Sequence, residues 1–283
     1  MISVIIPTHN KASVLQKTLQ RLVKQSYAEL EIIVIDDGCS DATSEIVQKF
    51  NYNIKYLQHH TQQGTISARN TGLKHATGSL IAFLDDDALW NNNKLAIQKK
   101  FFDLHPQLDF VMCNYKVNDQ IKNLSYSVSL NDYVKNFQIE ILKKPGPFLQ
   151  CCLFKSEFIK RHSLLFDYRA FPSEDWDWFI EISKINPSVY NVNNVLFEWN
   201  FNQHSQSANV KNEARAIAYI VNKHEKIILE NTAKQGLSLQ YRRIAGLYKE
   251  VNDMKLMKQY YEMAFCCHPF SIKNIWHKLQ SII

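Results

Sequence analysis

The stretch Gly78-Ser79-Leu80-Ile81-Ala82-Phe83-Leu84-Asp85-Asp86-Asp87 decides how the rest of the chain is read. Five apolar residues in a row, opened by Gly-Ser, are short for a helix and read as a strand buried on both faces. Three carboxylates follow where that strand ends. In extended backbone, Asp85 and Asp87 point to the same side. Three like charges repel, so something cationic is expected to offset them. Hard oxygen donors of this kind suit Mg²⁺ or Mn²⁺, which bind one or two carboxylates together with substrate phosphates. An isolated acidic triplet is more often a solvated loop. The buried strand before this one shifts the balance toward a site.

Working outward, the same pattern recurs on both sides. Ser3–Ile6 is a short β-branched run closed by Pro7. Asn10 is placed to cap a helix in which Leu15, Leu19, Leu22 and Val23 recur at helical spacing. Glu31–Ile35 is a second buried strand, ending at Asp36-Asp37-Gly38. A helix from about Asp41 to Phe50 carries Ile46, Val47 and Phe50 on one side. Ile54–Leu57 is a strand, Thr65–Ala76 a helix, Asn92–Leu104 a helix and Phe110–Cys113 a strand. Such alternation implies an α/β fold: a mixed, mainly parallel central sheet flanked by helices. Ligands of these sheets bind at the carboxyl ends of the strands. The pattern alone therefore puts residues 36–37 and 85–87 on one edge.

The second half is less regular. Lys143-Lys144-Pro145-Gly146-Pro147 marks a break, and Leu149–Phe154 reads as a strand. Glu174–Ile185 reads as a helix and Val189–Trp199 as strand-rich. From about Lys211 the chain reads as helical, with Pro269 separating the last two helices. The expected division is 1–210, in halves of about 1–115 and 116–210, and a helical appendage over 211–283.

Composition excludes several classes. With 283 residues, 46% hydrophobic and 21% charged, the chain is globular and large enough for a core without disulfides or structural metal. It holds no apolar run of the ~20 residues that span a bilayer. Met1–Pro7 reads as a strand rather than a signal peptide, so the cytoplasm is the expected compartment. Six cysteines at 39, 113, 151, 152, 266 and 267 have no zinc spacing and read as free thiols. A net charge of +6 suits an anionic substrate or membrane surface. It is not the concentrated stripe of a nucleic-acid binder.

Other candidates are weaker alone. Asp36 or Asp37 could accept from a base or ribose, although acidic strand ends with Gly also occur as plain turns. Gly64–Gly72 opens a helix whose N-terminus could bind phosphate, but it lacks the G-x-G-x-x-G and GK[ST] patterns. Arg69 could pair with phosphate or with the acidic cluster. Glu174-Asp175-Trp176-Asp177-Trp178 starts a helix. Its carboxylates are either dipole-stabilised or a general base beside a sugar-binding aromatic surface, and the tryptophans are equally readable as core. His204, in a polar loop, is a candidate metal ligand or phosphate donor.

Order is what joins these signals. Ser3–Asn10, Glu31–Asp41, Ala68–Leu73 and Gly78–Asp87, with Phe166-Asp167 and Ser173–Trp176 more loosely, closely resemble the family-2 glycosyltransferases of GT-A fold. The resemblance implies an inverting, metal-dependent transfer of one sugar from a nucleotide-sugar, uridine-linked, to a glycan or lipid-linked acceptor in cell-surface polysaccharide synthesis. It implies that Pro7, Thr8, Asn10, Asp36, Asp37, Arg69, Asp85 and Asp86 surround the nucleotide-sugar. Asp87 would ligate Mn²⁺ or Mg²⁺, with Asp85 and His204 completing the site. Asp175 would be the catalytic base and Glu174 its support. No Gln-x-x-Arg-Trp segment is present, which disfavours processive synthesis. Two alternatives stay open: a non-catalytic binder on a decayed scaffold, and a metal-dependent nucleotidyltransferase. Phe265, Phe270, Ile275 and Trp276 among Lys255, Lys258, Lys273, His277 and Lys278 suggest either a packed cap, a dimer contact or peripheral contact with the inner face of the membrane.

Overall fold

The computed structural model of the chain describes residues 1–86, 88–201 and 209–276. The first strand, β1 (Ile2–Thr8), is buried at every position. That requires neighbours on both edges and cover on both faces. It pairs in parallel with β2 (Leu30–Asp36) on one side and β4 (Leu80–Phe83) on the other, and β3 (Ile54–Gln58) adds beyond β2. The sheet continues through β8 (Leu153–Lys155), β6 (Phe110–Asp119), β9 (Val189–Phe201) and β5 (Leu89–Trp90), with β7 (Leu124–Val128) paired to β6. Strands β1, β2, β3, β4, β6 and β9 run one way, and β5, β7 and β8 run against them. The sheet is thus mixed and mostly parallel.

Chain order reverses beside β1. The strands step outward as 1-2-3 on one side, then β4 returns on the other. Such a switch point leaves a crevice beyond the carboxyl ends. The chain segments that leave β1, β2 and β3 lead into α1 (Ala12–Leu22), α2 (Thr43–Lys49) and α3 (Thr65–His75). Gly72 lets α3 lie close to the sheet. A Cβ there would stand 2.4 Å from Ile5 Cγ2 and 3.0 Å from Ile35 Cδ1. The remaining helices are α4 (Lys94–Leu104), α5 (Asn131–Lys135), α6 (Phe137–Lys143), α7 (Ser156–Arg161), α8 (Glu174–Ser183), α9 (Val210–Lys223), α10 (Glu225–Glu250) and α11 (Met254–Cys267). Helix α10 breaks at Ala233, where φ is +54°.

Two compact units emerge. One comprises residues 1–135, 147–166 and 185–202, and contains the whole sheet. The other comprises residues 136–146, 167–184 and 203–283. In the second, Trp176 and Trp178 are core side chains at 2% and 0% exposure. Trp176 Nε1 donates to the Ile141 carbonyl at 2.7 Å, and Gln240 Nε2 donates to the Leu142 carbonyl at 2.8 Å. These bonds join α6 to α8 and to α10. The aromatic sugar surface read from the sequence at these tryptophans is therefore not there. No described helix is long and apolar enough to cross a membrane.

Two local expectations are corrected. Asn10 does not cap α1; it sits at φ +51° and its side chain accepts from Ser40 N at 2.8 Å. The Asp41 carboxylate instead accepts from Ala12 N at 2.9 Å. Leu149–Cys151 is a 3-10 turn, and only Leu153–Lys155 is strand. The two-residue β5 has no periodicity to announce it.

Lys94 is fully buried inside the sheet-bearing unit. Its ammonium donates to Gln98 Oε1 at 2.7 Å and lies 4.1 Å from the Trp90 ring centroid. Burial pushes its pKa down from the usual lysine value, against the smaller opposing effect of the Cys113, Cys151 and Cys152 thiols. The unfolded chain therefore binds more protons just below pH 10.5, and stability rises with pH across that window. Lys94→Met is expected to raise stability at neutral pH by about 1 kcal/mol and to flatten this pH dependence. Thermal melts between pH 7 and 10 measure both effects.

Candidate active site

The parallel register aligns Thr8 with Asp36 and Ile5 with Phe83. The chain leaves all three strands at the same edge, and the sequence-derived candidates of the first unit gather there. Asp36 is 1% exposed. Its Oδ1 accepts from Cys39 N at 2.6 Å, and its Oδ2 from the Tyr56 hydroxyl and from Gln58 Nε2. Burial and this carboxylate push the Tyr56 phenol up. Asp37 is 3% exposed. It accepts from Gln63 N at 2.9 Å and Gly64 N at 2.7 Å, and meets His59 Nδ1 at 2.7 Å. The other His59 nitrogen meets Thr71 Oγ1 at 3.0 Å.

The amides of Gln63 and Gly64, just before α3, are thus held by Asp37. Both acids work through the backbone they hold: Asp36 closes the turn after β2, and Asp37 draws in the loop from 59 to 64. Gly38 makes that loop's approach feasible. It sits at φ +72°, and a Cβ on it would stand 2.6 Å from Gln62 N and 2.7 Å from the Thr61 carbonyl carbon. Burial pushes the neighbouring Cys39 thiol up to about 11, the Asn10 backbone bond opposing it, so thiolate chemistry is not available there.

The acidic triplet divides. Asp86 is 5% exposed and accepts from Lys11 Nζ at 2.8 Å and from Thr8 Oγ1 at 3.2 Å. Thr18 Oγ1 donates to its carbonyl at 2.6 Å. Asp85 keeps a side-chain exposure of 34%. Arg69 Nη2 donates to its Oδ1 at 2.8 Å, and Gln150 Nε2 donates to its Oδ2. Arg69 is not a surface residue: it is 4% exposed and lies 5.9 Å from the Phe166 ring centroid. The expected cations are therefore present. Lys11 and Arg69 offset the repulsion among the carboxylates. Asp87 and His204, assigned to a metal from the sequence, lie outside the described residues.

In the second unit, Asp175 and Glu174 occupy the first turn of α8, where the helix dipole favours carboxylates. Asp175 is half-buried and Glu174 buried at 6% exposure. Of a neighbouring cluster, only Asp177 was among the residues singled out from the sequence. Asp177, Glu181 and His224 bring ligand atoms within 4.8 Å of one another. The cation at that cluster is the Lys223 ammonium, 2.7 Å from Asp177 Oδ2 and 3.4 Å from Glu181 Oε1. The i, i+4 spacing of Asp177 and Glu181 was the available signal.

Comparison with known proteins agrees with this architecture. A family model described as glycosyl transferase family 2 matches residues 3–163. The chain is 29% identical over 211 residues to the Escherichia coli protein named UDP-Glc:alpha-D-GlcNAc-diphosphoundecaprenol beta-1,3-glucosyltransferase WfgD, covering 74% of this chain and 80% of that one. Two other curated glycosyltransferases it matches are longer, and it spans 26% and 20% of them. Residues 1–349 of Staphylococcus aureus TarS, solved with UDP-GlcNAc, superpose with a TM-score of 0.71 at 18% identity, over 99% of this chain and 88% of that one. The Pyrobaculum calidifontis mannosyltransferase PcManGT, solved with GDP-Man and Mn²⁺, gives 0.61 at 20% identity, over 98% and 87%. At these identities the two structures establish a shared fold.

Gly38→Ala tests the loop architecture directly. It is expected to cost about 1–3 kcal/mol of stability by displacing residues 59–64. A thermal melt checks this, and a wild-type melting temperature would refute it.

Proposed function

Because this chain belongs to glycosyl transferase family 2, we propose that it moves one sugar from a uridine-linked nucleotide-sugar to a lipid-linked or glycan acceptor of a cell-surface polysaccharide, with inversion and with a divalent cation. The observation that carries the reading is the gathering of Thr8, Asp36, Asp37, Arg69, Asp85 and Asp86 at one sheet edge, in the unit that the family model spans. The uridine donor and diphospholipid acceptor follow the name of the Escherichia coli relative and the UDP-GlcNAc bound by the Staphylococcus protein.

The roles divide by what each side chain has left to give. Pro7, Thr8, Asn10, Asp36 and Asp37 shape the pocket for the base and ribose. Asp36 and Asp37 do so mainly by fixing the turn at 37–40 and the loop at 59–64. Asp86 is an anchor, its oxygens turned to Lys11 and Thr8. Asp85, a third exposed and flanked by Arg69, faces the diphosphate. The donor set of Asp85, Asp87 and His204 is hard oxygen plus one imidazole, which fits Mn²⁺ or Mg²⁺. When bound, such an ion offsets the negative charge that develops on the departing diphosphate. Asp175 takes the proton of the acceptor hydroxyl as that oxygen attacks the anomeric carbon, and Glu174 supports it. Contact with an anionic bilayer surface belongs to the same reading: Phe270 and Ile272 are 89% and 84% exposed, with exposed Lys255, Lys258 and Lys273 nearby in the chain.

Calorimetric titration of UDP, GDP, CDP and dTDP, each with and without Mn²⁺, tests the donor. UDP is expected to bind at least tenfold more tightly with Mn²⁺ than without. Failure of every diphosphate to bind folded protein would remove the donor reading. For the base, Asp175→Asn is expected to lower turnover at least a thousandfold while UDP affinity stays within threefold. Wild-type turnover by that variant would exclude Asp175 from the chemistry.

A further inference from the structure

The cluster around Lys223 belongs to the second unit and takes no part in the roles above. Lys223 ends α9, where the negative end of the helix dipole favours a cation. Its ammonium reaches three carboxylates from two segments. Asp177 Oδ2 is 2.7 Å away and Glu181 Oε1 3.4 Å, both on α8; Asp167 Oδ2, in the chain before α8, is 3.3 Å away. His224 Nε2 meets the second Asp177 oxygen at 2.7 Å. Asp177 and His224 are each 1% exposed, so this pair is shielded from water and salt.

Asp167 is itself a hub. It accepts from the Tyr219 hydroxyl at 2.6 Å, from Arg169 N at 3.1 Å and from the Arg169 guanidinium at 3.0 and 3.1 Å. Arg169 lies 4.9 Å from the Tyr219 ring centroid. Burial works to raise the Asp167 carboxyl, but the bonds from Arg169, Tyr219 and Lys223 outweigh it and hold the group well below the usual carboxylate range. The same logic acts on the ammonium. Burial alone would lower it, yet Asp177 and its neighbours hold it above the ordinary lysine value. Asp167 and Lys223 are therefore both charged at neutral pH.

Its placement suggests a purpose. Asp167 and Asp177 bracket the segment 168–176, which turns through Tyr168–Ala170 and enters α8 with Asp175 on its first turn. Inside that bracket, Ser173 N donates to the Ala170 carbonyl at 2.7 Å and Trp176 N to the Ser173 carbonyl at 3.0 Å. One ammonium thus ties both ends of the segment that carries Asp175. On a helix, residues two apart point to nearly opposite sides. Asp177 can be clamped by Lys223 and His224 without its clamp occupying the face that presents Asp175.

We propose that Lys223, seconded by His224 and Tyr219, is a positioning residue for the transfer reaction: it fixes the first turn of α8 so that Asp175 meets the acceptor hydroxyl. The C-terminal helices would then complete the acceptor half rather than merely follow it. This rests on the reading of Asp175 as the base.

The test uses full-length protein and measures UDP release from UDP-glucose with a synthetic GlcNAc-diphospholipid and, separately, with water as acceptor. Lys223→Met is expected to lower turnover at least tenfold in both assays, well below its melting temperature. Its KM for UDP-glucose and its calorimetric affinity for UDP should stay within twofold. Lys223→Arg should restore at least a third of the turnover, because a guanidinium can bridge the same carboxylates. Tyr219→Phe, which removes one bond and leaves the ammonium, should fold normally and lose two- to fivefold. Hydrogen exchange at the α8 first-turn amides should speed up in Lys223→Met. If Asp175→Asn is inactive while folded Lys223→Met turns over like wild type, the positioning role is wrong and the base reading stands. If Asp175→Asn turns over normally, both fall.

Discussion

The candidate site depends on one constraint, the parallel pairing of β1 on both of its edges. Because Thr8 lies opposite Asp36 and Ile5 opposite Phe83, three chain exits are brought to one line. The bonds that finish the site all start from that line. Asp37 N donates to the Thr8 carbonyl at 2.9 Å, Leu84 N to the Ile5 carbonyl at 3.0 Å, and Thr8 Oγ1 to Asp86. A slip of one residue in either pairing would turn Thr8 or Asp36 to the opposite face. Every β1 position is buried, so such a slip gains nothing. The hydrophobic core therefore sets the positions of charged side chains it does not touch.

This is why so much of the first unit was legible in the sequence. Strands buried on both faces leave unbroken apolar runs, and 3–6, 31–35 and 80–84 stand out on that ground alone. Their ends fall where runs meet Asp or Pro. What the sequence did not reveal depends on partners remote along the chain. Asn10 is a reasonable helix cap by residue type, but Asp41 reaches Ala12 N first and Asn10 turns to Ser40 instead. Arg69 and Lys11 carry no local sign that their partners are Asp85 and Asp86. Trp176 and Trp178 look equally like a sugar platform or a core, and only the packing of α6 and α10 decides for core. Lys223 lies 46 residues from Asp177, with no periodicity between them.

Charge accounting also changes what the acidic motifs mean. Three aspartates after a strand suggest a bound metal because they repel. Here Lys11 and Arg69 pair with Asp86 and Asp85 and relieve the repulsion between those two. The case for a metal then rests on donor chemistry and family membership, not on unrelieved charge. Likewise Asp36 and Asp37, the residues nearest a nucleotide in the family resemblance, hold backbone amides and a phenol. These bonds fix the turn after β2 and the loop before α3.

The same arrangement recurs in each unit. At the sheet edge, Asp86 is buried and tied down while its neighbour Asp85 stays a third exposed. On α8, Asp177 is buried and tied to Lys223 and His224 while Asp175 stays half-buried. In both places an anchored carboxylate lies one or two residues from one that keeps contact with solvent. Geometry explains the pairing. Adjacent residues at a strand end, and residues two apart on a helix, point to opposite sides. One can therefore be fixed in the interior while the other is presented outward. A side chain that must take a proton or meet a diphosphate cannot be buried among strong partners without losing the capacity to do so. Its backbone still has to be held to within a fraction of an ångström. Fixing the neighbour satisfies both demands.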